Sequence, residues 1–238
     1  MSLTPDTQRR AGRPRKAVLD RASIGRVALE LVDEAGDFTL PELARRLGVQ
    51  TASLYHHVEG RAGVIELLRE QLGHRIDAAT LGEHDEQPWE QAMAAFFRSY
   101  RSVFAAHPRA LPLLATSTIR SPRVIAAYDK MAAILAASGV PADRTMDVLT
   151  ALENFVIGSA LDLAAPEVMW EIPDDVTAPN LAAALDAQNH AARRAERAFE
   201  AGLAALLAGL SAEVEDADGR PRWQEGTDLS TPRAPPHD

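Results

Sequence analysis

Gln50, Thr51, Ala52 and Ser53 stand together just after a glycine, Gly48, and just before an apolar anchor, Leu54. On the first turn of a helix these side chains suit the edges of base pairs. Glutamine both donates to and accepts from adenine, while Thr51 and Ala52 offer methyl groups to thymine. A second group lies upstream, Gly12-Arg13-Pro14-Arg15-Lys16. There proline holds the backbone extended, and Arg13, Arg15 and Lys16 supply charge for a narrow, A·T-rich minor groove. Neither group suits catalysis. No cysteine occurs, so thiolate nucleophiles, disulfides and Cys-ligated metals are excluded. The chain also lacks a nucleophile elbow, a phosphate loop and a glycine-rich nucleotide fingerprint. None of its seven histidines is paired with a carboxylate at metal-ligand spacing, and His107, before Pro108, reads as structural. The expectation is a protein that is not an enzyme and holds no metal or cofactor.

Charge supports contact with a polyanion at one end only. The whole chain of 238 residues carries a formal net charge of -9, which disfavours nucleic acid. Residues 1–26, however, hold seven basic side chains against Asp6 and Asp20, whereas from Asp77 onward 24 acidic residues outnumber 13 basic ones. The opening Met1-Ser2-Leu3-Thr4-Pro5 has no apolar signal core, and no run approaches the roughly 18 apolar residues of a membrane span. A cytoplasmic protein with no membrane partner is expected.

The elements that must carry these residues are all helical. Ile24, Val27, Ala28, Leu31, Val32 and Ala35 recur at three and four residues, so the first helix runs from about Asp20 to Ala35 and stops at Gly36. Thr39 and Glu42 predict a capping box for a second helix with Leu40, Leu43, Ala44 and Leu47 inward and Pro41 in its first turn. Gly48 turns the chain into a third short helix from Thr51, anchored by Leu54 and Val58. Small Ala44, Gly48 and the wedge of Leu43, Leu47, Val49 and Leu54 make a helix-turn-helix, whose second helix presents Gln50–Ser53 to the major groove.

Residues 17–76 resemble the DNA-binding domain of the TetR family of bacterial transcriptional regulators, through Phe38-Thr39-Leu40-Pro41-Glu42-Leu43-Ala44-Arg45-Arg46-Leu47-Gly48-Val49 and Ser53-Leu54-Tyr55-His56-His57-Val58. Beyond them the likeness is weaker, carried by helix pattern and by Phe199-Glu200-Ala201-Gly202-Leu203. The resemblance implies a homodimer that binds a palindromic operator and is released by a small molecule. It also implies phosphate contacts for Tyr55, His57 and Arg61, a base-facing place for His56, and a DNA-facing place for Thr39. Leu40, Pro41 and Glu42 depart from the polar and basic pattern of the founding member, so a different operator is expected. Asp77 and Leu114 align with the two ligand-binding histidines of the tetracycline repressors, which argues against a magnesium–tetracycline site.

The fold expected is all-α, a three-helix DNA-binding domain plus a larger helical bundle for ligand binding and dimerisation. Residues 1–16 form a basic arm, 17–76 the helix-turn-helix domain, 77–210 the bundle and 211–238 a disordered tail with seven acidic and three basic residues. The fourth helix is expected over Arg61 to Asp77, with Ile65, Leu68, Leu72 and Ile76 inward, followed by a polar link, Gly82–Pro88. Then come helices to His107, over 109–116, and from Ser121 to Gly139. A helix over Ala142 to Ala165 is apolar nearly all round in its second half, and a last one spans 190–212.

Phe97, Tyr100, Phe104, Tyr128, Met131, Phe155, Met169 and Trp170, with Arg101, Asn154 and Asp162 as polar handles, are candidate pocket residues for an apolar ligand. The same residues also suit a plain core. Leu149, Leu152, Val156 and Ala160, with Phe199, Gly202, Leu203, Leu206, Gly209 and Leu210, are candidate dimer contacts between two copies of the last long helices. Residues 166–179 either cover the pocket or pack on the partner subunit. Three functions stand side by side: a ligand-released repressor, a DNA-binding regulator without a ligand, and a helical enzyme with an incidental motif. A small molecule that shifts DNA affinity separates the first two. Turnover of any substrate would favour the third.

Overall fold

The computed structural model describes residues 19–82, 88–166, 168–187 and 194–214, apart from the side chains of 212–214, and every regular element among them is helical. The basic arm, most of the 82–88 link and residues 215–238 lie outside the described residues. Helix α1 (Arg21–Ala35) starts at Asp20, whose carboxylate accepts from the Ser23 N–H at 2.7 Å while Ser23 Oγ accepts from the Asp20 N–H at 3.2 Å. This reciprocal cap is the motif expected at Thr39. At α2 (Leu40–Leu47) only the Thr39 half of it forms, 3.3 Å from the Glu42 N–H, because the Glu42 carboxylate turns toward Arg45, 3.8 Å away.

Helix α3 (Thr51–Leu54) is a single turn of helix, continued by a hydrogen-bonded turn through His57. Helix α4 (Gly60–Gly73) stops short of the expected Asp77, whose side chain caps a separate 3-10 turn over Ala78–Leu81 instead. Helices α5 (Trp89–Ala105), α6 (Leu111–Ala115, entered through a 3-10 turn at Pro108–Ala110), α7 (Pro122–Ala137) and α8 (Ala142–Asp162) follow. Ser121 does precede α7, but its hydroxyl makes no cap bond and is buried without a partner among the described residues. Helix α9 (Pro179–Ala187) adds an element that the apolar periodicity does not predict. Its proline start and alanine-rich body favour a helix, yet none of its side chains is buried. Helix α10 (Arg194–Val214) continues past the expected start of the tail at Ser211, while residues 190–193, where the last helix was expected to begin, lie outside the described residues.

Two apolar cores result. One unites Ile24, Ala28, Leu31 and Val32 of α1 with Leu43, Leu54, Val64, Leu67, Leu68 and Leu72. The other joins Met93, Phe96 and Phe97 of α5 to Met131, Ile134, Leu135, Leu149, Leu152, Val156, Phe199, Leu203 and Leu207. The first core also takes in Phe104, Ala110, Leu111, Leu114 and Ala160, so apolar packing crosses the boundary expected near residue 77. Helices α1 and α4 cross closely at Gly25, where an added Cβ would lie 2.8 Å from the Leu67 carbonyl oxygen.

Candidate nucleic-acid interface and ligand pocket

The bend between α2 and α3 builds the first site. Gly48 carries it at φ 69°, and the Val49 N–H reaches back to the Ala44 carbonyl at 3.0 Å. With Leu43, Ala44 and Leu54 buried beneath, Gln50 and Ala52 are exposed and Thr51 and Ser53 half-exposed at the start of α3. Thr39 and His56 are also exposed, and Tyr55 presents 59% of its surface, much for a large aromatic side chain. The half-buried His57 accepts at its carbonyl from Arg21 Nη1, 2.9 Å away, which ties the end of α3 to α1.

Arg61 departs from the phosphate-contacting place implied for it. Its guanidinium donates to the Phe38 carbonyl and to Asp37 Oδ1, both at 2.5 Å, and stacks over the Phe38 ring, 4.5 Å from the centroid. Those bonds hold the Asp37 carboxyl below its ordinary value, chiefly through the hydrogen bond from Arg61. Arg61 therefore braces the α1–α2 turn against α4. Arg46 is likewise spent on Glu34 in a two-pronged ion pair. Arg45, mostly exposed and only loosely paired, is an available cation whose signal was its position on the polar face of α2, away from Leu43.

The second site lies where α4, α5, α7 and α8 meet. Gly73, Ile76, Ala78, Phe96, Phe97, Tyr100, Arg123, Val124, Ala127, Tyr128, Met131, Leu149 and Glu153 enclose a cavity of about 50 Å³. Phe96 and Phe97 meet edge to face at 5.4 Å, and Tyr100 tilts against both at 6.3 Å. Tyr100 donates to Glu153 Oε1 at 2.8 Å and Tyr128 to Glu153 Oε2 at 2.6 Å. Burial, followed by the Glu153 charge, drives both tyrosine pKa values above the ordinary range, so both remain neutral donors. Arg123 sits at the rim with its Nε on the Gly73 carbonyl, 3.1 Å away.

Four of the expected pocket residues thus meet: Phe97, Tyr100, Tyr128 and Met131. The others do not line it. Phe104 stacks on Tyr100 at 4.6 Å but packs into the first core. Arg101, only 4% exposed, turns the opposite way to bond Ser159, Glu196 and the Ala195 carbonyl, and covers Phe199. Phe155 stacks on Phe199 beside Gly202, Asn154 is exposed, and Asp162 pairs with Arg194 at 2.6 Å. Met169 and Trp170 are exposed, with Arg194 5.6 Å from the Trp170 ring centroid. Glu153 was missed. Its signal was a lone carboxylate on the buried stripe Leu149, Val156 and Ala160, at helical spacing.

The candidate dimer contacts also need correction. Leu149, Leu152, Val156, Ala160, Phe199 and Leu203 are consumed in the chain's own cores, because α10 packs on α8 and α5 through them. Leu206 and Gly209 are exposed, and Gly202 and Leu210 are partly so. Asp77 is occupied in capping the 3-10 turn, and Leu114 is buried.

Residues 81–214 match the family described as tetracyclin repressor-like, C-terminal domain. An HTH-type transcriptional regulator of Saccharopolyspora erythraea is 28% identical over 162 residues, 67% of this chain and 66% of that protein, just under two thirds. Tetracycline repressor protein class A of Escherichia coli is 28% identical over 193 residues, 78% of this chain and 88% of the repressor. Among solved structures, a possible TetR family transcriptional regulator of Streptomyces coelicolor superposes with a TM-score of 0.67 at 26% identity, covering 81% of this chain and 99% of that one. The fold is also that of ActR from the same organism, solved with (S)-DNPA, at a TM-score of 0.69 and 23% identity over 82% of this chain and 98% of that one.

Proposed function

The chain belongs to the TetR family of transcriptional regulators, and from that premise we propose a homodimeric DNA-binding repressor, released from a palindromic operator by a small, largely apolar effector. One observation carries the reading: α4 serves both sites. Val64, Leu67 and Leu68 of α4 lie in the core beneath the reading helix, while its last residue, Gly73, and the following Ile76 border the cavity. A guest that widens the cavity displaces this end of α4 and, with it, the helix-turn-helix. Because release needs unequal affinity for two conformations, the cavity and the DNA face must favour different positions of α4.

Exposed Gln50, Thr51, Ala52 and Ser53 read base edges in this proposal with His56 facing the bases beside them, Tyr55, His57 and Thr39 at the flanking backbone, and Arg13, Arg15 and Lys16 of the arm in the minor groove. Arg61 acts only as a brace. The partner subunit covers the faces left open on α8 and α10, which carry Ala151, Asn154, Gly158 and Leu161, and Ala198, Ala201, Ala205, Leu206 and Gly209. A Cβ at Gly158 or Gly209 would meet nothing within the chain, so close approach by another helix supports the glycines there. Ligand control draws support from relatives named as tetracycline repressors and from ActR solved with a small molecule. The reading contains no catalytic step. No described helix is long and apolar enough to cross a membrane, and a cytoplasmic site of action is proposed.

The test is to incubate the protein with sheared DNA from its own source at near-physiological salt, sequence what stays bound, and repeat in the presence of a library of apolar small molecules. Enrichment of one palindrome, lost when a library member is present, is expected. Diffuse, salt-labile binding overturns specific readout, and a palindrome insensitive to every compound favours regulation without a small molecule.

A further inference from the structure

Glu153 sets a carboxyl group in a largely apolar cavity with no cation among the described residues in direct contact. Its two oxygens accept one hydrogen bond each from Tyr100 and Tyr128, although a carboxylate offers about four acceptor positions. Among the described residues no lysine, arginine or histidine nitrogen stands within ion-pair distance of it. The neighbouring cations are engaged elsewhere. Arg69 pairs with Glu66 at 3.1 Å and donates to the Leu114 and Ser117 carbonyls, while Arg123 is held at the rim by Gly73. The rings of Phe96, Phe97, Tyr100 and Tyr128 line the same cavity.

A partly buried carboxylate that lacks a cation is costly to keep charged, and hydrogen bonds from two neutral phenols offset only part of that cost. A cation placed beside it gains the ion pair, in a cavity whose aromatic lining also favours cations over neutral guests. We propose that the effector, on the reading of this cavity as the regulatory site, is an aromatic or aliphatic amine that enters protonated. Its ammonium group bonds Glu153 and its apolar body displaces the packing of Phe97, Met131 and Ile76. Neutral and anionic molecules of equal size leave the carboxylate uncompensated and bind less well.

Calorimetry and thermal-shift titration at pH 7 with matched probes test this. The probes are benzylamine, phenethylamine, phenylbutylamine and naphthylmethylamine, the alcohols of the same skeletons, and the corresponding carboxylates. The amines are expected to bind at least about tenfold tighter than the alcohols. In Glu153→Gln that preference falls to near unity with the alcohols little changed, whereas Tyr128→Phe, which leaves the carboxylate in place, keeps it. Should the glutamine variant unfold, the wild-type ranking decides by itself. Equal affinity for amines and alcohols, tighter binding of carboxylates through Arg123, no binding of any amine, or an amine preference that survives Glu153→Gln each overturns the assignment. If alcohols or carboxylates bind and release DNA where amines do not, the cation falls while the ligand-released regulator stands. If a broad compound panel also leaves DNA binding unmoved, that regulator reading falls separately.

Discussion

His107 Nδ1 lies 2.8 Å from Asp33 Oδ2, joining the α5–α6 connection to the last turn of α1. The other ring nitrogen faces the Arg75 guanidinium, which can only donate, so Nε2 accepts and the ring proton sits on Nδ1 toward the carboxylate. Arg109, two residues further along, donates to the Asp33 and Glu34 carbonyls that end α1. The DNA-reading unit is thus held to the bundle at a second place besides α4.

Removing that bond has a defined outcome. The imidazole is 12% exposed, so His107→Ala is expected to lower unfolding stability by about 1–3 kcal/mol, as loss of a charge-assisted hydrogen bond does. Asp33→Asn gives a smaller loss, and a double-mutant cycle in thermal melts reads the coupling between the two. A coupling indistinguishable from zero refutes the latch.

Arg61→Ala separates brace from phosphate contact. Stability falls by about 1–2 kcal/mol through the lost bonds to Phe38 and Asp37 and the lost ring contact, while the salt dependence of DNA binding keeps its slope. Asp37 has a depressed pKa when folded, so its contribution is present above the unfolded value near 4 and disappears as pH falls through the folded value. The stability gap between wild type and variant therefore narrows on acidification. A salt slope reduced by about one unit in the variant would restore the phosphate role.

Alkaline titration reports on the cavity. Tyr100 and Tyr128 have folded pKa values raised above 10, so the stability they contribute is complete below pH 10 and declines above it as the unfolded chain loses those protons first. Phenolate absorbance of the folded protein should lag that of the denatured protein by two tyrosines. In Tyr128→Phe the lag is one, and the loss of stability above pH 10 is shallower.

At Gly25 a methyl group meets backbone rather than a yielding side chain, 2.8 Å from Leu67 O. Gly25→Ala is expected to cost about 1–3 kcal/mol by forcing α1 from α4, despite the better helix propensity of alanine. Gly209→Ala, with open space around it, leaves the isolated chain unaffected and weakens self-association in sedimentation experiments.

The DNA-reading half was legible because local rules dictate it: Gly48 must take a left-handed turn, Leu54 must go inward, and Gln50 to Ser53 are then left outside. The bundle was legible as helices but less so as a site. Periodicity places Phe97, Tyr100, Phe104 and Phe155 on apolar faces without saying which neighbour each meets, and only two of these four reach the cavity. Polar residues misled for the same reason. Arg101 and Asp162 looked like ligand handles, yet each has a partner far along the chain, Glu196 and Arg194, that no spacing rule connects to it. Glu153 carried the better signal, a charge on a stripe that is otherwise apolar.

The cavity of about 50 Å³ is far below the roughly 300–1,000 Å³ that small-molecule guests occupy, so a guest and the resting arrangement of the aromatic side chains exclude one another. Apparent affinity then equals intrinsic affinity reduced by the fraction of molecules already open. In the regulator proposed above, this closed resting state raises the effector concentration needed in proportion to how rarely the cavity opens. On that proposal the set point lies in the packing of Phe96, Phe97, Tyr100 and Met131, so sensitivity can change through their packing without any change in what the site recognises.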